Sequence, residues 1–119
     1  MRARPLALVG MIVGTAYLCD VTLRERFAAR AARRLARQLD KPLLNVGCGT
    51  RRSSATGPKL RGDVNCDAAA PRQAPCGPRS VCYCDTQDLS AYADKTFGVA
   101  FAANVLRYVP DRARAMREL

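Results

Sequence analysis

Histidine and tryptophan are both absent from the 119 residues, and aromatic residues make up only 6%. The missing imidazole removes the commonest general base and the commonest metal ligand. Acidic residues are few, ten against twenty basic ones, which leaves a net charge of +10 at neutral pH. That balance suits an anionic membrane surface or nucleic acid. Nucleic acid is the weaker expectation. The basic stretch has no aromatic interleaving beyond Phe27 and no recognisable reader motif. Hydrophobic residues reach 49%, so the composition is not that of a disordered chain. The length allows one small core and not two.

Six cysteines in so short a chain would suggest disulfides in a secreted domain. Here Cys66, Cys82 and Cys84 fall in segments that read as buried strands, and Cys48 lies in a glycine turn. Cys82 and Cys84 would share one strand face and are poorly placed to pair with each other. The expectation is therefore reduced thiols and a cytosolic folded part. Zinc is disfavoured, because the spacing of Cys76, Cys82 and Cys84 matches no common finger and no histidine can complete it.

The first forty residues divide into two segments. Pro5 to Cys19, "PLALVGMIVGTAYLC", carries no charge and follows Arg2 and Arg4. Continued to Leu23 it approaches the roughly 20 residues of a spanning helix. We expect a membrane anchor over residues 1–23. A cleavable signal peptide and an ordinary buried helix are the alternatives. Residues 24–39 read as a basic amphipathic helix, with Phe27, Ala31, Leu35 and Leu39 as an apolar stripe. Its arginines outnumber those ahead of the apolar run, which would put the downstream domain in the cytoplasm.

From Lys41 the pattern changes. "LLNV" is a short apolar run opened by Pro42, hence a buried strand. Gly47 and Gly49 then allow a tight turn and a close approach. Further on, "GDVNCD" reads as a second strand ending in Asp67, where an acid binds ribose hydroxyls in nucleotide-binding sheets. The dinucleotide fingerprint fails because Arg52 stands at its third glycine, and no phosphate-loop motif is present. A cofactor without a pyrophosphate needs only the first two glycines.

With these segments, "SVCYCDTQDLSAYADKTFGVAFAANVLRYVPD" resembles the class I S-adenosylmethionine-dependent methyltransferases, in particular the type 11 group. The resemblance covers residues 40–119 and implies an α/β, Rossmann-like methyltransferase sheet of which this chain supplies the first four strands. It implies S-adenosylmethionine as cofactor. The cofactor-binding positions it implies are Asn45, Gly47, Cys48, Gly49, Asp67, Asp85, Thr86, Ala103 and Asn104. Asp67 would accept the ribose hydroxyls, and Asp85 would face the adenine amine with Thr86 beside the ring. Ala103 and Asn104 would close the methionine end. No catalytic residue and no particular acceptor are assigned; a small molecule or a lipid would be compatible with the reading.

The chain departs from the family pattern at several places. Gly98 stands for an aspartate, Arg107 and Tyr108 replace a Glu-His pair, and Arg51 replaces a frequent third glycine. Residues 50–60 and 68–80 are too polar or proline-rich for crossover helices. Strand four would be an open edge. The alternatives are a non-catalytic, membrane-associated remnant of the fold and a basic nucleic-acid-binding protein.

Overall fold

A computed structural model describes the backbone from Pro5 to Leu119 and the side chains from Thr22 onward. The architecture is α/β. Helix α1 (Pro5–Gln38) precedes strands β1 (Leu43–Val46), β2 (Val64–Asp67), β3 (Val81–Tyr83) and β4 (Val99–Ala102). A single 3-10 turn (Leu106–Tyr108) and helix α2 (Arg112–Glu118) follow. All strand pairs are parallel, in the order β3-β2-β1-β4. β4 lies at an edge of the sheet, as expected.

Every residue of β1 is buried, as a strand with a neighbour on each side should be. Leu44 and Val46 join Cys66, Cys82, Cys84 and Leu89 in the main core. Tyr92 and Phe97 pack edge to face against it, with ring centroids 5.0 Å apart. Leu43 and Asn45 alternate to the opposite face and lie in register with Val99 and Phe101. The connections 47–63 and 68–80 contain no helix, as their glycine and proline content predicts. The Asp111 side chain accepts from Arg114 N at 2.9 Å and caps α2.

Two expectations are corrected. An apolar helix and a separate basic helix were expected, but α1 is continuous from Pro5 to Gln38. No proline or glycine lies between Thr15 and Lys41 to break it, and alanine and arginine propagate a helix well. The apolar run assigned to an anchor has side chains outside the described residues. Among the described residues no helix is long and apolar enough to cross a membrane.

The face of α1 that meets the sheet is not the apolar stripe. Phe27, Leu35 and Leu39 are exposed, and the buried residue is Ala36. Small side chains let the helix settle closely on β1 and β4. Gly98 lets the chain before β4 approach the turn that follows α1, since a Cβ there would stand 2.9 Å from Lys41 Cβ and 3.4 Å from Leu39 Cβ. Ion pairs reinforce the choice: Glu25 meets Lys59 at 3.2 Å and Arg61 at 3.3 Å, and Arg33 meets Asp63 at 3.8 Å.

The second correction is the cysteines. Instead of four reduced thiols, the structure pairs Cys66 with Cys84 and Cys76 with Cys82, with Cα–Cα distances of 5.5 and 4.8 Å. Cys82 and Cys84 do not pair with each other. The proline-rich loop after β2 turns back and sets Cys76 beside Cys82, a path that strand spacing alone does not reveal. Among the described residues Cys48 is the free cysteine, and it is buried.

Candidate functional site

The C-terminal ends of the four strands open into one cleft of about 710 Å³. In open parallel sheets ligands bind outside the strand carboxyl ends, where the strand order reverses. Here that point lies between β1 and β4. Asn45, Gly47, Cys48, Gly49, Asp67, Asp85, Thr86, Ala103 and Asn104 all line this cleft. The nine positions expected from the sequence are thus brought together.

Local bonding decides what each can offer. In the turn after β1, Gly47 N and Cys48 N both donate to Cys66 O, at 2.7 and 3.3 Å. Gly49 N donates to Asp67 Oδ2 at 2.9 Å, and Thr50 N to Ser53 Oγ at 2.7 Å. Four successive N–H groups are spent inside the protein. A phosphate cradle needs such groups free and converging on the anion. This turn therefore has none to give a phosphate.

Both glycines have positive φ, 70° at Gly47 and 82° at Gly49. They differ in what stands beside them. A Cβ on Gly47 would run into the Val105 side chain, so the expected close approach at that position is taken by Val105. At Gly49 the nearest atom would be Ser54 Cβ at an ordinary 3.5 Å, and the backbone angle alone favours glycine.

Asp67 sits at the end of β2, fixed by Gly49 N and by Ala69 N, which donates to Oδ1 at 2.8 Å. A carboxylate has about four lone-pair sites, so roughly two remain for a ligand diol. Asp85 lies two residues beyond β3, and its Oδ1 accepts from Gln87 N at 2.9 Å. Among the described residues neither carboxylate has a basic group within ion-pair distance. Thr86 is buried between Asp85 and Gln87. Asn45 is occupied structurally: Nδ2 donates to Lys59 O at 2.7 Å and to Asn65 Oδ1 at 2.8 Å. Only its carbonyl oxygen is left for the cleft. Asn104 adopts a left-handed conformation, φ 59°, at the turn after β4.

Burial, with the Asp67 charge adding to it, pushes the Cys48 thiol up to about 11. At neutral pH it is therefore a protonated wall residue and not a nucleophile.

Sequence reasoning missed Glu25, Lys59 and Arg61 as lining residues. The signal available was that Glu25 is the one acid between Arg24 and Arg37. A lone carboxylate among arginines on a helix has a partner to meet elsewhere. Gln87 was missed too. Its Oε1 accepts from Asp111 N at 2.9 Å and ties the loop after β3 to the start of α2. Tyr108 lines the mouth, largely exposed, with Arg107 stacked 4.7 Å above its ring.

No protein-family model matches the chain, nor does any curated protein or solved structure.

Proposed function

We propose that the cleft binds S-adenosylmethionine and that residues 40–119 are a Rossmann-like methyltransferase domain built on four strands. The observation that carries this reading is the glycine turn whose N–H groups are all consumed internally. It stands beside two strand-end carboxylates that, among the described residues, have no basic group within ion-pair distance. Such a site disfavours a phosphorylated nucleotide and suits a nucleoside that brings hydroxyls, an amine and positive charge. The cleft volume of about 710 Å³ falls in the usual small-ligand range of roughly 300–1,000 Å³.

Bound there, S-adenosylmethionine would supply a methyl on a sulfonium, which leaves readily without acid catalysis. The residues of this chain would then act by holding and aligning. Asp67 accepts the ribose hydroxyls on its remaining lone pairs. Asp85 Oδ2 accepts the adenine amine. Thr86 and Gly47–Gly49 shape the walls, and Ala103 and Asn104 bound the far end. The acceptor, a small molecule or a lipid, would enter past Tyr108, where alignment with the methyl sets the rate.

Calorimetry tests the reading. S-adenosylmethionine and its demethylated product should bind, and a dinucleotide should not. Asp67→Asn should weaken binding by roughly tenfold to a hundredfold, because hydrogen bonds to a charged group contribute about 1.5–3 kcal/mol. Equal affinity for the dinucleotide, or an Asp67→Asn protein that binds normally, would remove the assignment. Binding without transfer is a second reading, favoured by Val105 filling the space over Gly47. Product affinity with no turnover on any acceptor would select it.

Membrane association belongs to the same proposal. The arginine excess behind the apolar run favours a cytoplasmic domain, whereas two disulfides favour an oxidising compartment. Trapping free thiols by alkylation at the moment of lysis discriminates between the two.

A further inference from the structure

Helix α1 has two long faces, and only one of them is used by the domain. The used face carries buried Ala36 with half-buried Ala29, Ala32 and Arg33, and Glu25 held by Lys59 and Arg61. Phe27 lies nine residues before Ala36, which at about 100° per residue is half a turn away. It is 65% exposed, and Leu23 and Leu35 are 51% and 47% exposed. With Ala31 between them, these residues form one apolar stripe pointing away from the sheet.

Arginines edge that stripe. Arg26, Arg30, Arg34 and Arg37 are exposed, and among the described residues no carboxylate lies within ion-pair distance of them. The nearby acids are engaged elsewhere: Glu25 on Lys59 and Arg61, Asp63 on Arg33. Scattered exposed apolar residues are ordinary on a protein surface. A continuous apolar stripe beside unpaired cations is the pattern of a helix lying in a membrane interface.

We infer that the outer face of α1, from Leu23 to Leu35, docks flat on an anionic lipid surface. Leu23, Phe27 and Leu35 enter the acyl boundary while the guanidinium groups meet headgroup phosphates. Nucleic acid would satisfy the arginines but leave Leu23, Phe27 and Leu35 in water. This inference rests on the membrane part of the preceding proposal and changes its geometry. Because α1 is continuous from Pro5 to Gln38, a helix flat on the surface does not also stand across the bilayer. Glu25 lines the cleft from the other side of the same helix, so docking sets the cleft about one helix diameter, ~10 Å, from the headgroups.

The chain has no tryptophan, so Phe27→Trp in the full chain is a single reporter. Phosphatidylcholine vesicles containing phosphatidylglycerol should shift its emission to the blue, and lipids brominated near the headgroup should quench it. Pure phosphatidylcholine should do so weakly. A Tyr83→Trp control on β3 should not respond. Changing Arg26, Arg30, Arg34 and Arg37 together to Gln should lower vesicle affinity roughly a hundredfold to a thousandfold, at about 1 kcal/mol per cation. High salt should do the same to the unaltered chain.

Several outcomes overturn the inference. One is a reporter that keeps its water-exposed emission while the protein sediments with vesicles, which means that the N-terminal run alone holds the chain. A shift that grows with protein concentration in the absence of lipid assigns the stripe to a second copy. A shift produced by duplex DNA and not by vesicles assigns it to nucleic acid. Cofactor calorimetry is read separately, so failure of either proposal is distinguishable from failure of the other.

Discussion

Strands β1 and β4 are both four residues long, mainly apolar and parallel, and they pair residue for residue from Leu43↔Val99 to Val46↔Ala102. Yet β1 is buried throughout, whereas β4 is half-buried and its last residue is exposed. The difference is neighbours. β1 has β2 on one side and β4 on the other, while β4 has β1 alone. An apolar run therefore announces a strand but not its place in the sheet. Place is decided by what arrives later in the chain, or by what arrives earlier, as α1 does over β4.

The comparison is broken most severely at Gly62, which packs under β1. A Cβ there would stand 2.7 Å from Val64 O and 2.8 and 2.9 Å from Asn45 Cβ and N. Two of these are backbone atoms, so relief requires the strands to part. Gly62→Val should cost about 3 kcal/mol or more in urea unfolding. Gly57→Ala should cost only about 1–2 kcal/mol, since nothing lies within 4 Å and the positive φ is the whole penalty. Equal losses would mean that β1 is not the rigid centre described here.

A matched pair of truncations sharpens it. Leu44→Ala in β1 leaves a hole among buried neighbours and should cost about 3 kcal/mol. Val99→Ala removes less volume from a half-buried site and should cost about 1 kcal/mol. If Val99→Ala proves the more damaging, something covers the β4 edge in solution.

The smallest effect expected is at Cys48, where the turn after β1 meets the cleft. Its raised value, about 11, means that the folded chain holds the proton where an ordinary thiol near 9.0 would have lost it. The stabilising contribution is thus fully present below pH 9 and is lost as pH rises toward 11. Alkylation of the native thiol should stay slow at pH 8 and accelerate only in that window. Rapid modification at pH 8 would show that the turn opens readily.

Much of this was legible from the residues. Apolar runs closed by Pro42, Gly47 and Asp67 fix the strands, because buried parallel strands carry little other signal. The glycine turn and the acids at or just past the ends of β2 and β3 fall in one cleft because strand ends in a parallel sheet share a side. The helix face was not legible. Leucine and phenylalanine outweigh alanine on any hydropathy count, and only the ion pairs of Glu25 and Arg33 with Lys59, Arg61 and Asp63 mark the face that is used. The need for glycine at 62 was equally hidden, since it comes from Asn45, seventeen residues earlier. Nor does spacing reveal the cysteine pairing, which depends on the path of a loop without regular structure.

Those two disulfides also alter the covalent map of the chain. Cys76–Cys82 is nested inside Cys66–Cys84, so residues 66–84 form a ring within which a smaller ring is closed. Arg72 and Arg79, both exposed, lie on this ring. A protease that cuts after either one opens a loop but releases no fragment, because the two ends stay joined through sulfur. Asp67 and Asp85 each follow directly on a cysteine of the outer bridge. The cleft thus keeps both carboxylates tethered to one another even when the backbone between them is severed.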